Sequence, residues 1–190
     1  LYKGLGLYIF DKNYLFERSD YIKTRLIEIE KKFAKNKPQI QSVSKVKDLL
    51  SKKEIKSLEN NYILQSDLII DENLYLAENK NLIVQPGVKI FFDKDVSIFS
   101  EGSIFFNGTK TQPITIYSDK NIGSLILSGN DFRLSNVILK NLSYPKDKDK
   151  ILYAGINIIN SNVEITDTEI VLSNSEDAIN IISSNSNITN

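Results

Sequence analysis

The chain has 190 residues, with 24 Lys plus Arg balanced by 24 Asp plus Glu, and it contains neither Cys nor His. Balanced charge offers no basic field to recruit nucleic acid or an anionic membrane surface. Without Cys there is no disulfide framework, thiolate metal site or cysteine nucleophile, and without His the commonest general base and metal ligand are missing. No cofactor and no nucleic-acid partner is therefore expected, and no run approaches the roughly 20 apolar residues of a membrane span.

In chain order, residues 6–16 ("GLYIFDKNYLF") read as a strand and turn left over from a preceding domain. From Asp20 to about Lys35 the apolar residues Ile22, Leu26, Ile29 and Phe33 recur at three- and four-residue steps, with Ser19 or Asp20 as N-cap and Pro38 just beyond. That spacing predicts an amphipathic helix. A second, shorter helix is expected over 43–58, where Val46, Leu49, Leu50, Ile55 and Leu58 are apolar. Residues 1–60 are thus expected to form a helical linker or cap together with the remnant of a preceding domain.

After Asn60 the apolar period changes from 3.6 to 2, and short strands follow one another with Gly, Asn, Asp and Ser between them. A repeat organises them. Leu125, Leu127, Phe132, Leu134, Val137 and Leu139 map onto Ile156, Ile158, Val163, Ile165, Thr168 and Ile170 at one constant offset of 31 residues. Ile156, Ile158, Ile159 and Ile165 map onto Ile179, Ile181, Ile182 and Ile188 at an offset of 23. The eight extra residues of the longer interval are accounted for by "SYPKDKDK", residues 143–150, which carry charge and form an insertion loop.

A coil of about 23 residues built of strands without helix fits a parallel β-helix, in which each strand pairs with its equivalent in the next coil. A leucine-rich repeat of similar length needs a Leu-x-x-Leu-x-Leu-x-x-Asn signature that is missing here. Inward residues at alternate positions then stack Ile on Ile and Leu on Leu, each buried side chain contributing roughly 1.5–3 kcal/mol. Asn130, Asn136, Asn141, Asn160, Asn162, Asn174 and Asn185 are expected at the bends, where Asn tolerates left-handed backbone.

The stretch "NLIVQPGVKIFFDKDVSIFSEGSIFFNGTKTQPITIYSD" contains Pro86-Gly87-Val88, Gly102-Ser103-Ile104, Gly108-Thr109 and Pro113-Ile114 through Ser118. These motifs resemble the opening coils of right-handed parallel β-helix proteins of the pectin-lyase-like superfamily, over residues 62 to 190. The later stretch ending in "SEDAINIISSNSNI" resembles the β-helix region that follows a CotH-like kinase domain in some large bacterial surface proteins. The resemblance implies an all-β fold, a right-handed single-stranded parallel β-helix over 61–190 with an N-terminal helical lead-in. With no Met and a last residue, Asn190, inside the repeating pattern, the chain is expected to be an internal, C-terminally incomplete piece, and the resemblance implies a secreted or cell-surface bacterial protein. Handedness comes from the resemblance alone.

Enzymes of that superfamily use clustered acidic and basic residues on one outer face. Here the nearest such set is Asp131 and Arg133 with Asn162 and Glu164, and the 31-residue offset places them on neighbouring rungs. Arg133 and Glu164 are expected to form a surface ion pair. Asp167 and Glu169 are expected to alternate on one strand and have Ca²⁺-ligand chemistry given a third oxygen, but two solvated carboxylates are the simpler reading. Asp177 is placed at a coil corner in a turn or cap role. Phe91, Phe92, Phe105 and Phe106 come as adjacent pairs, so one of each pair must face outward; Phe92 and Phe105 are the candidates for an aromatic strip, either stacking on sugar or covered by the 20–35 helix. "NGT", "NLS" and "NIT" at Asn107, Asn141 and Asn187 match a glycosylation acceptor but reflect abundant Asn.

The expected role is that of a noncatalytic segment, structural or in contact with polysaccharide or another surface protein, with no catalytic or metal residue assigned. Two alternatives stand beside it. One is a polysaccharide lyase, hydrolase or epimerase whose active site lies on coils outside this sequence; the other is an accessory arm of an upstream CotH-like kinase domain.

Overall fold

The computed structural model describes residues 47–58, 61–145, 152–171, 175 and 177–190. The strand over 6–16, the helix over 20–35, most of the charged insertion and Asn174 lie outside the described residues. What is described is an all-β parallel solenoid of three sheets.

Sheet A contains β1 (Lys47–Asp48), β5 (Leu74–Leu76), β8 (Ser97–Ser100), β11 (Ser124–Ser128), β14 (Ala154–Ile159) and β17 (Asp177–Ile182), hydrogen-bonded in that order. Sheet B contains β2 (Ile55–Leu58), β3 (Asn61–Leu64), β6 (Asn81–Val84), β9 (Ser103–Asn107), β12 (Asp131–Ser135), β15 (Asn162–Thr166) and β18 (Asn185–Thr189). Sheet C contains β4 (Leu68–Ile70), β7 (Lys89–Phe92), β10 (Ile114–Ser118), β13 (Val137–Lys140) and β16 (Glu169–Val171). The chain visits the sheets in rotation, so every strand from β3 onward pairs in parallel with its counterpart one coil away. The exception is β2, which turns back antiparallel on β3.

The register reproduces the sequence repeat residue by residue. Leu125 pairs with Ile156, Leu134 with Ile165 and Leu139 with Ile170 at the longer offset. Ile156 pairs with Ile179 and Ile165 with Ile188 at the shorter one. A strand side chain points to the face opposite that of its neighbour, so alternate residues line the interior. In sheet B the column Leu64, Val84, Phe106, Leu134 and Ile165 is buried, and in sheet C so is Leu68, Ile90, Ile116 and Leu139. These columns merge into one core running through the coils.

Corners are made by residues that accept left-handed backbone. Gln85-Pro86-Gly87-Val88 is a turn in which Val88 N–H donates to Gln85 O at 3.4 Å and Gly87 has φ +80°. Pro presets the second position and only Gly is unstrained at the third. Gly123, at φ +85°, leaves space for Phe92, because a Cβ there would lie 2.3 Å from the ring. Asn136, Asn141 and Asn160 have positive φ, as their place at the bends requires, and Asn130 lies in a bend held by a side-chain bond, whereas Asn162 and Asn185 open β15 and β18 instead of making the bends expected of them.

The helix expected over 43–58 is replaced, among the described residues, by β1, a 3₁₀ turn over Leu49–Ser51 and β2. Its three- and four-residue apolar spacing has another cause. Asp48 caps the turn by accepting from Leu50 N–H at 2.9 Å, which drops Leu49 into the core, and Ile55 re-enters the core at the start of the next strand. Lys47 and Lys52 tie this entry segment to the β4–β5 corner through Glu72, at 2.7 and 3.3 Å, and Lys52 also reaches Asp71 at 3.3 Å.

Candidate functional site

The alternation that fills the interior also fixes what each sheet presents outward. On sheet B the central outward row is Ile63, Ile83, Phe105, Arg133, Glu164 and Asn187, one residue per coil. Beside it Asp131, Asn162 and Asn185 form a second row. The structure therefore brings together four of the sequence candidates: Phe105, Asp131, Arg133 and Glu164.

Their bonds run along the solenoid axis. Arg133 Nε donates to Glu164 Oε2 at 2.8 Å, and its guanidinium sits 6.0 Å from the centre of the Phe105 ring. Asn162 Nδ2 donates to Asp131 Oδ1 at 2.9 Å, and Asn185 Nδ2 donates to Asn162 Oδ1 at 3.1 Å. Arg133 and Glu164 are 49% and 44% exposed, so the ion pair contributes about 0–1 kcal/mol. A shallow polar groove of about 260 Å³ follows the corner between sheets A and B, lined by Asn130, Asp131, Asn160, Asn162 and Asn185. Chemically this is an array of amides with one carboxylate, suited to hydrogen bonding rather than to proton transfer.

The remaining candidates are dispersed. Phe92 is fully buried, so the sequence assignment of Phe92 to an outer strip is corrected: within Lys89-Ile90-Phe91-Phe92 the exposed Lys89 and the buried Ile90 set the alternation, which turns Phe91 outward. Phe92 and Phe105 also belong to different sheets. Asp177 opens β17; its N–H donates to Tyr153 O at 3.2 Å and its carbonyl accepts from Ser175 Oγ at 2.6 Å. Asp167 and Glu169 do not share a strand, since Asp167 has φ +45° in the corner between β15 and β16. Among the described residues no three His, Cys, Asp or Glu side chains gather as a metal site.

Two outer features escaped the sequence reading. On sheet C the outward row is Ile69, Phe91, Tyr117, Lys140 and Val171, with the Phe91 and Tyr117 rings 5.0 Å apart and tilted by 42°. Its signal was the parity of Ile114-Thr115-Ile116-Tyr117, which alternates inward and outward. On sheet A, Tyr75 donates to Glu101, whose backbone carbonyl accepts from Asn130 Nδ2. Burial, reinforced by the neighbouring Glu101 carboxylate, pushes the Tyr75 phenol up to about 12.

No family model, no curated protein and no solved structure matches this chain. The described residues form a parallel β-solenoid whose outer faces carry rows of side chains aligned from coil to coil.

Proposed function

We propose that the chain is a noncatalytic segment of a larger secreted or surface bacterial protein, a β-helix that serves as a stiff spacer and presents its outer faces to glycan or protein. One observation carries this reading. The outward polar groups of sheet B, Asp131, Arg133, Asn162, Glu164 and Asn185, bond to their own counterparts on the next coil. Groups satisfied in this way link coil to coil, whereas a hydrolytic or eliminating site needs an acid and a base converging on one substrate atom. The coil motifs around Pro86-Gly87, Gly102 and Gly108-Thr109 support membership of the right-handed pectin-lyase-like group, and the "SEDAINII" coil supports a CotH-associated surface protein. The strong right-handed preference of crossovers between parallel strands supports the same hand.

The test is depolymerisation of polygalacturonate and other polyuronates by the 190-residue chain, followed as new reducing ends and as unsaturated products. The proposal expects none above a heat-denatured control. Activity that disappears in Asp131→Ala with the fold intact would overturn it and favour a carbohydrate-active enzyme.

A further inference from the structure

We propose that the outer face of sheet C is a docking platform for a neutral polysaccharide chain, with Phe91 and Tyr117 stacking on sugar rings and an adjoining groove receiving the hydroxyls. The proposal deepens the interaction role above and rests on it.

The three outer faces differ in what they leave free. On sheet A the outward residues Phe99, Ile126 and Asn157 are 5%, 1% and 0% exposed, so the middle of that row is closed to a ligand. On sheet B the Phe105 ring already lies beneath the Arg133 guanidinium, which is fixed by Glu164. Sheet C keeps its apolar row open. Ile69 is 61% exposed, and Phe91 and Tyr117 are each partly exposed on the same outward row. Because the two rings come from adjacent coils, they form a platform that follows the solenoid axis. A flat ring offers a sugar the broad apolar contact of its C–H face while losing little side-chain freedom.

The groove supplies the polar half. Thr115 and Ile138, paired across β10 and β13, continue the outward surface from Tyr117 and Lys140 toward a groove of about 470 Å³. That volume falls in the usual range of ligand sites. Lys110, Thr109, Asn136, Asp167 and Glu169 line it, so donors and acceptors of both charge signs face the same space. Hydroxyl groups both donate and accept, and a neutral sugar uses such a mixed lining fully. A polyanionic chain would meet Asp167 and Glu169 as like charges, and a polycation would meet Lys110, Lys89 and Lys140.

The experiment is native affinity electrophoresis of the whole chain in gels containing hydroxyethyl cellulose, xylan, glucomannan or dextran, with polygalacturonate as the anionic comparison. The expected result is retardation by at least one neutral polymer, unaffected by salt, and weakened at least tenfold in apparent Kd by Phe91→Ala and by Tyr117→Ala. Phe91→Leu and Tyr117→Leu keep apolar bulk without a flat ring and are expected to lose binding while retaining the β-rich circular dichroism spectrum. Phe105→Ala on sheet B is expected to bind like the parent. The proposal is overturned by no retardation in any neutral polymer, by retardation that the leucine variants preserve, or by retardation in polygalacturonate alone that salt abolishes. None of these outcomes touches the noncatalytic reading, which falls only if depolymerisation is found.

Discussion

The first coils and the last coils share one interior and differ in their exteriors. On sheet B the outward row begins with Ile63, Ile83 and Phe105 and ends with Arg133, Glu164 and Asn187. On sheet C it begins with Ile69, Phe91 and Tyr117, and Lys140 and Val171 follow. The inward columns show no such change, being mostly Leu, Val, Ile and Phe through β15, with Ser100 and Ser118 as buried polar members whose hydroxyls donate to the Gly102 and Asn141 carbonyls. Inward alternation alone is therefore enough to specify the coil, and the outward positions are free to vary in chemistry along the axis. On sheet B the later polar residues are cross-linked to one another, Arg133 to Glu164 and Asp131 through Asn162 to Asn185.

The largest expected effects lie where the halves agree. Phe92 in the early coils and Phe132 in the later ones are both almost fully buried. Phe92→Ala and Phe132→Ala should each cost about 3–5 kcal/mol in urea unfolding. A cost below 1 kcal/mol at either position would break the idea of a common interior. Gly123→Ala comes next, because it combines a φ of +85° with a Cβ only 2.3 Å from the Phe92 ring. Strain and overpacking together should cost about 2–4 kcal/mol. The double variant Gly123→Ala with Phe92→Leu should recover part of that loss, since the shortened side chain vacates the space.

Outer positions should respond far less. Arg133→Ala removes an exposed ion pair and a ring contact, and stability should fall by no more than about 1 kcal/mol. A larger loss would mean that the polar exterior holds the coils as firmly as the core does. The smallest expected effect is electrostatic and sits at the entry segment. The Lys47 ammonium beside Glu72 and the Lys52 ammonium beside Asp71 hold both carboxyls below their ordinary values. Their contribution is complete above the unfolded carboxylate values of about 4 and is lost as pH falls through the folded ones. Thermal unfolding followed across pH 2–6 (about the range of carboxylate titration) should show a smaller acid-induced drop for Glu72→Gln than for the parent. An identical drop would remove Glu72 from the account.

Much of the fold was legible because a solenoid writes its register into its sequence. The offsets of 31 and 23 residues by themselves identify the pairs Leu125 with Ile156 and Ile156 with Ile179. The eight extra residues that lie between β13 and β14 are visible as the difference between the offsets. Errors arose where local spacing has two physical causes. Leu49 and Ile55 look like a helical stripe, yet a capped 3₁₀ turn and a strand start bring both into the core. Adjacent phenylalanines carry no parity of their own, so Phe92 was assigned outward until the buried Ile90 fixed the phase. Asp167 was given to a strand because its neighbours alternate, whereas its positive φ makes it a corner. The Arg133 and Glu164 pair was predicted correctly because it needed only the offset and the alternation.

The most direct test of the stacked register exploits the absence of cysteine from the chain. Parallel neighbours lie about 4.8 Å apart, within the Cα separation of roughly 4.4–6.8 Å that a disulfide accepts. Arg133 and Glu164 are such neighbours on sheet B, whereas Arg133 and Thr166 are displaced by two residues. Mild oxidation of the double variant Arg133→Cys/Glu164→Cys should close an intramolecular disulfide rapidly, and Arg133→Cys/Thr166→Cys should remain largely reduced. Preferential closure of the displaced pair, or of neither, would contradict the coil register on which the whole account rests.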